Sequence, residues 1–195
     1  MRREITGFSN PLLKEIRGLR EKKLRKRAGL FLAEGLRIMT EAREAGFLPE
    51  MLFRVKDRPV HALEIALEDE VLRNGGDVIE TSAEIMAKLS GKDNAQAVVG
   101  VYRDHGTALA DIERATAPIW LVAQAMRDPG NLGTMLRTGD AVGAGGLILI
   151  DDCTDPFSVE AVRASMGAVF TQKIVQCRWD EFMTWLRAGD GQLVG

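Results

Sequence analysis

The spacing of hydrophobic and polar positions along the chain predicts a succession of helices and strands. Behind Asn10-Pro11, a pair suited to a helix start, apolar residues recur at helical spacing and predict one helix that runs through Arg27. Short runs rich in Val, Ile and Leu are typical of buried strands. The predicted strands are 31–33, 51–55, 77–80, 96–102, 119–122, 147–150 and 169–175, and the other predicted helices are 36–42, 60–72, 81–89, 132–142, 159–166 and 179–186.

A break in this pattern divides the chain. The stretch from Asp104 to Ala117 loses the periodicity and becomes rich in Ala, so we assign residues 1–105 to a first domain, 106–117 to a linker and 118–195 to a second domain. Strands and helices alternate after the linker, which predicts a parallel α/β sheet. Gln192–Gly195 looks like the start of a further strand. A sheet edge left open there is unusual, and we therefore expect the second domain to be incomplete.

The composition is that of an ordinary globular protein, with 195 residues of which 46% are hydrophobic and 28% charged. No apolar run approaches the roughly 20 residues of a membrane span, and no apolar signal core follows the basic N-terminus. A cytoplasmic location without a membrane is the expectation. Cys153 and Cys177 are the only cysteines, too few for a zinc site, so we expect bystander thiols and no metal.

The charge is distributed unevenly, although the net charge is only −2. Residues 1–27 hold ten Lys or Arg and three Glu, which gives this segment +7, while the rest of the chain carries −9. Since charges beyond about 10 Å are screened, a polyanion would respond to the local basic segment. The run favours contact with RNA phosphates, and a solvated amphipathic helix is the alternative.

One polar turn lies where a predicted strand passes into a predicted helix. Pro129 and Gly130 form the turn, Asn131 is placed to cap the helix, and Arg137 follows nearly two turns later. Ligands of open α/β sheets bind at such carboxyl ends of strands. Local physics alone leaves open a plain turn, a cap and a solvated arginine.

Three segments resemble one known family in the right order. Asp128-Pro-Gly-Asn131, followed after five residues by Arg137-Thr138, resembles the first motif of the SpoU branch of the SPOUT methyltransferases. Asp155-Pro156-Phe157 with Ala161–Ala168 resembles the stretch that follows it. Glu160 stands where relatives often carry Lys, and Gly139 where they often carry Ala. The segments that resemble the family's substrate-binding domain are Asn10-Pro11, Lys14, Lys22–Arg27 and Phe31–Gly35.

The resemblance implies a fold and an activity. The fold would be a small α/β substrate-binding domain, similar to a ribosomal-protein fold, before an incomplete, knotted, Rossmann-like α/β SPOUT domain. The activity would be S-adenosylmethionine-dependent methylation of a ribose 2′-hydroxyl in ribosomal or transfer RNA, by a homodimer. Asn131 and Arg137 match catalytic positions. A guanidinium donates hydrogen bonds and is a poor base, so we expect Arg137 to hold the 2′-oxygen or a phosphate.

The remaining expectations concern RNA and the methyl donor. The resemblance implies that Arg163 and Ser165 contact RNA or the subunit interface, and a structural role is an equal alternative. Two further family motifs, which build the knot and the donor pocket, do not occur before Gly195, so donor-binding residues are unknown and the chain as given is expected to be inactive. The alternatives are an RNA-binding module without catalysis and an unrelated nucleotide-binding protein, which the basic helix disfavours. The expected RNA-binding residues are Lys14, Arg20, Lys22, Lys23, Arg25, Arg27, Arg163 and Ser165.

Overall fold

Two β-sheets, each flanked by helices, organise the protein in the computed structural model, which describes residues 1–91 and 95–195. The first sheet has five strands in the order β1-β4-β3-β5-β2. β5 is antiparallel to both of its neighbours, and the other pairs are parallel. The strands are β1 (Arg2–Ile5), β2 (Leu30–Glu34), β3 (Met51–Val55), β4 (Asp77–Thr81) and β5 (Val98–Arg103).

Side chains of the first sheet alternate between two apolar layers. Phe31 and Leu52 point into one layer, whereas their neighbours Leu32 and Phe53 point into the other. Both faces of the three adjacent strands β3, β5 and β2 are therefore buried, which explains why these strands are mainly apolar. The edge strand β1 is exposed except at Ile5 and carries charged residues at its other three positions. The helices of this half are α1 (Pro11–Gly18), α2 (Lys22–Ala28), α3 (Leu36–Glu44), α4 (Ala62–Arg73) and α5 (Ala83–Ser90).

The basic segment forms two helices, so the prediction of one helix through Arg27 is wrong. The chain turns between Gly18 and Lys22, where the Arg25 guanidinium donates hydrogen bonds to the carbonyls of Leu19 (2.8 Å) and Arg20 (2.7 Å). These carbonyls lie at the helix end, where no backbone partner is available. A side chain six residues away in sequence thus stabilises a break that apolar spacing does not reveal.

The second sheet has three parallel strands in the order β6-β7-β8, which confirms the predicted parallel α/β architecture. Two local predictions are wrong. The predicted strand 169–175 begins as a helical turn, and residues 191–195 form no strand. The elements are β6 (Leu121–Gln124), α6 (Pro129–Ala141), β7 (Gly146–Ile150), α7 (Val159–Ser165), α8 (Ala168–Thr171), β8 (Lys173–Cys177) and α9 (Trp179–Arg187).

The two sheets share one apolar core. The Phe31 ring lies 5.0 Å from the Phe157 ring, and the Tyr102 ring lies 4.8 Å from the Phe170 ring, measured between centroids. His105 stacks on Phe170, and its Nε2 lies 2.8 Å from the Val169 carbonyl. Before β6, the chain runs through two short 3-10 turns and pairs with β8 through Thr107. No helix in the described ranges is long and apolar enough to cross a membrane.

Candidate active site and RNA surface

Helix α6 begins directly beyond the carboxyl end of β6. Asp128 is its N-cap, because the Asp128 Oδ1 accepts a hydrogen bond of 2.6 Å from the Asn131 backbone N–H. The prediction that Asn131 caps the helix is therefore wrong. Asn131 belongs to the first turn, is exposed, and makes no side-chain hydrogen bond within residues 1–91 and 95–195. Its amide is available to a ligand.

The two sides of α6 differ sharply. Leu132, Gly133 and Leu136 are buried, and a Cβ added at Gly133 would lie 2.5 Å from the Ala161 carbonyl, so α6 and α7 touch through their backbones. Arg137 is exposed and forms no ion pair with any residue that the structure describes. At 1.5 Å per residue, Asn131 and Arg137 are about 9 Å apart along the axis. Both side chains are exposed and, at 3.6 residues per turn, lie about 120° apart around the helix axis.

The carboxyl edge of the second sheet is held together by one carboxylate. Asp151 accepts hydrogen bonds from Gln124 Nε2 (2.8 Å) and from the Trp179 backbone N–H (3.0 Å), so it joins the segments that follow all three strands. Ala125 and Asp151 both adopt positive φ, 51° and 60°, at the ends of adjacent strands. Such conformations are costly for residues other than glycine and are found most often at functional sites.

An exposed ion pair between Arg127 and Asp152 lies beside that edge. The Arg127 guanidinium donates a 2.7 Å hydrogen bond to Asp152 and, together with its charge, holds the pKa of that carboxyl below the usual value. The positive charge of Lys22 lowers the pKa of Asp152 further. Helix α2 therefore lies close enough for its charge to act at the carboxyl end of β7.

Arg25 corrects the sequence interpretation of the basic run. Its side chain is buried, with 5% of its surface exposed, and it donates through Nε (3.1 Å) and Nη2 (2.7 Å) to Asp155. Its Nη1 donates to the two carbonyls that end α1. Since every guanidinium nitrogen is engaged inside the protein, the prediction that Arg25 contacts RNA is wrong. The pair joins α2 to the loop between β7 and α7.

Glu34 lies at another junction of the two halves, and the sequence did not mark it as a site residue. Its carboxylate is buried, and Arg20 lies 3.7 Å from its Oε1. Burial raises the pKa of Glu34, while the charges of Arg163 and Arg20 oppose that rise. Arg20 also donates to the Ser90 carbonyl. Arg20 and Arg163 thus share one buried carboxylate, and their contact with RNA stays a prediction.

Ser165 is another correction. It is buried, and its hydroxyl donates to the Val162 carbonyl at 2.7 Å and accepts from the Val169 N–H at 3.3 Å. Those bonds link the end of α7 to α8, so the structural alternative holds and direct RNA contact is wrong.

The other predicted RNA-binding cations remain accessible. Lys14, Lys22, Lys23 and Arg27 are exposed, and none of them forms an ion pair with the described part of the chain. The thiols take no visible part in this surface. Cys153 is buried, and burial together with nearby negative charge raises the pKa of Cys177 to about 11.

Comparison with known proteins matches both halves of the chain. Residues 10–100 match the MRM3-like substrate binding domain, and residues 118–195 match the SpoU rRNA Methylase family. The chain is 37% identical to the AdoMet-bound rRNA methyltransferase from Sinorhizobium meliloti, with a TM-score of 0.87 over 96% of this chain and 69% of that one. It also resembles the AdoMet complex of the SpoU methyltransferase AviRb from Streptomyces viridochromogenes, at 25% identity and a TM-score of 0.76 over 92% of this chain and 68% of that one.

Two sequence relatives are also methyltransferases by name. The 23S rRNA (guanosine(2553)-2′-O)-methyltransferase of Bacillus subtilis is 27% identical over 99% of this chain and 73% of its own length. An uncharacterized tRNA/rRNA methyltransferase of Synechocystis is 32% identical over 84% of this chain and 58% of its own length. The chain thus spans between about half and three quarters of the length of these relatives.

Proposed function

The chain belongs to the SpoU rRNA methylase family, and from that premise we propose that the protein methylates a ribose 2′-hydroxyl of ribosomal or transfer RNA. The observation that carries the proposal is the exposed side of α6. Asn131 and Arg137 both project from it, and neither is engaged by another side chain that the structure describes.

Arg137 is suited to hold the attacking oxygen. Its guanidinium stays protonated, so it donates hydrogen bonds and does not remove a proton. Directed at the 2′-oxygen, or at the phosphate beside it, the group fixes the nucleophile and stabilises negative charge as that charge develops. Asn131, at the start of the same helix, can orient the substrate or the arginine through its amide.

S-adenosylmethionine is the proposed methyl source, as the AdoMet-bound relatives suggest. When bound, it supplies the methyl carbon to which the 2′-oxygen bonds as the carbon–sulfur bond breaks, with the hydroxyl proton passing to solvent. At the carboxyl edge of the second sheet, the Gln124 amide and the Arg127 guanidinium already bond to Asp151 and Asp152, so these two groups do not fit a role in holding the donor.

The exposed cations of α1 and α2 would hold the RNA. Lys14, Lys22, Lys23 and Arg27 can contact phosphates, which position a nucleic acid without reading its sequence. Lys22 lies near the carboxyl end of β7. A strand of RNA held along α2 would therefore pass close to the carboxyl edge of the second sheet. Arg20 and Arg163 are proposed to contribute from the surface above Glu34.

The organisation of the protein is also part of the proposal. We assign residues 1–105 to RNA binding, 106–117 to the connection and 118–195 to methyl transfer, with the protein acting as a homodimer in the cytoplasm. Sedimentation of the full product of the reading frame tests the dimer, and a monomer at micromolar concentration would contradict it.

Nucleoside analysis tests the activity. The product of the whole reading frame is incubated with labelled S-adenosylmethionine and ribosomal or transfer RNA from cells that lack the gene. The expected product is a 2′-O-methylated nucleoside that resists alkaline cleavage at its 3′ side. Label in a base, or no label in any RNA, would overturn the proposal.

A binding module without catalysis is the second candidate for the 195 residues taken alone, because Gln124 and Arg127 at the carboxyl edge of the second sheet are already bonded to Asp151 and Asp152. Calorimetry with S-adenosylhomocysteine tests it. No heat of binding is expected from the 195 residues, and micromolar affinity would contradict this candidate.

A further inference from the structure

A small cavity lies away from the proposed active site, between the turn after β1 and the helices α1 and α5. Its volume is about 150 Å³. Leu13 and Ile85 form an apolar floor, Phe8 forms one wall, and the rim carries Lys14, Arg17 and Lys88. A space of this size takes one planar ring system, not a base pair.

Phe8 is unusual among the phenylalanines of the chain. All seven lie in the described ranges, and Phe8 is the one with an exposed side chain, at 51%. The Lys88 Nζ lies 4.0 Å from the centre of the Phe8 ring. An isolated exposed apolar residue needs no explanation. The Phe8 ring, however, borders a cavity and already contacts a cation, and the face of an aromatic ring attracts positive charge.

The rim of the cavity is strongly positive. Lys14 and Arg17 are three residues apart on α1 and therefore share one face, and Lys88 approaches from α5. None of the three forms an ion pair with any residue the structure describes, and no carboxylate lines the cavity. These three cations are thus available to bind an anion. Along the chain, α1 is followed by α2 with its exposed lysines.

We infer that this cavity binds an unpaired nucleobase of the substrate RNA against the Phe8 ring, with the flanking phosphates held by Lys14, Arg17 and Lys88. Proteins recognise single-stranded RNA by this combination of an aromatic platform and clustered cations. The inference rests on the proposed function for its ligand class. The inference adds that the protein prefers RNA with an unpaired base turned outward, whereas the basic run alone would give no such preference.

Fluorescence anisotropy at low salt tests the inference with the 195-residue chain. The probes are a labelled unstructured oligoribonucleotide, a blunt RNA duplex of the same length, and poly-L-glutamate as an anion without bases. Phe8→Leu keeps an apolar side chain but removes the ring face. It should weaken binding of the single strand about 5- to 150-fold, as loss of one stacked base does, while binding of the other two probes changes little.

Two controls make the result specific. Phe8→Tyr keeps the ring and should retain the affinity for the single strand. Ile65→Ala removes an equally exposed apolar side chain from α4 and should change none of the three affinities. Because Phe8 is exposed, its variants should also unfold at the wild-type temperature.

Several outcomes would overturn the inference. One is unchanged single-strand binding by Phe8→Leu. Another is a loss of affinity for the duplex or for poly-L-glutamate as large as the loss for the single strand. In these cases RNA binding as such persists, and the proposed methylation stands. Failure of the wild-type chain to bind either RNA would instead overturn both the base pocket and the proposed RNA substrate.

Discussion

The dipeptide Asp-Pro follows two neighbouring strands of the second sheet, and its aspartate has a different structural role after each strand. After β6, Asp128 is exposed, caps α6 and leaves Asn131 and Arg137 open to solvent. After β7, Asp155 is buried, and its carboxylate accepts from Arg25 and from the Phe157 backbone N–H at 3.0 Å. One turn leaves side chains exposed to solvent, and the other joins the second sheet to helix α2.

The two aspartates differ in the groups that donate hydrogen bonds to their carboxylates. Asp155 meets a guanidinium that arrives from 130 residues away, whereas Asp128 meets only the first turn of its own helix. The motif therefore predicts the turn but not its role. Burial makes the Asp155 turn a determinant of stability, and exposure makes the Asp128 turn a candidate for catalysis.

The largest effect on stability is expected at the buried turn. Asp155→Ala would leave Arg25 charged and buried without its partner, which costs about 3–5 kcal/mol. Urea unfolding followed by circular dichroism measures the change. A loss below about 1 kcal/mol would show that the pair does not fasten the two halves.

A matched double variant sharpens that result. Arg25→Met combined with Asp155→Leu removes both charges and should recover part of the loss, since an apolar pair avoids the desolvation cost. Recovery should be incomplete, because the carbonyls of Leu19 and Arg20 also lose their donor.

The exposed turn should respond more weakly. Asp128→Ala removes one helix cap and should cost about 1 kcal/mol, whereas Asp128→Ser, which can also cap, should cost less. The same unfolding measurement applies. A loss as large as that of Asp155→Ala would erase the contrast between the two turns.

Within the basic run, the next comparison is between exposed cations such as Lys22 and Lys23 and the buried Arg25. Replacing Lys22 and Lys23 together by Ala should lower the salt slope of RNA binding by about two, because two phosphate contacts are lost. The matched control is Lys173→Ala, an exposed lysine at the amino end of β8. An unchanged slope in the double variant would remove α2 from the RNA surface.

The smallest effect concerns the other buried carboxylate between the halves. Burial raises the pKa of Glu34 above its ordinary 4.5, so the folded state favours the neutral acid. Its stabilising contribution is complete below 4.5 and is lost as pH rises through the raised pKa. Glu34→Gln, which cannot ionise, should therefore gain stability relative to wild type between acidic and neutral pH. A constant difference across that range, measured by urea unfolding, would contradict the direction.

The sequence was a good guide to what depends on local spacing. Alternating strands and helices predicted the parallel second sheet, and the segments around Asp128 and Phe31 predicted the family that the comparisons show. Apolar spacing did not predict the break between Gly18 and Lys22, because it depends on a guanidinium bonding to exposed carbonyls.

Long-range contacts account for the errors at Arg25 and Glu34. Nothing near Arg25 in the sequence distinguishes it from Lys23, yet one is buried against Asp155 and the other is exposed. Glu34 was not recognised because its arginine neighbours come from distant segments. The cavity beside Phe8 likewise exists only when α5 packs against α1.

The most direct test of the account is methyl transfer by Arg137→Ala in the product of the whole reading frame, with RNA affinity measured on the same preparation. The account predicts that transfer falls at least about 100-fold, as on loss of an oxyanion donor, while RNA affinity and unfolding temperature stay close to wild type. Transfer at a near-normal rate would contradict the role of Arg137 and, with it, the assignment of the exposed side of α6 as the active site.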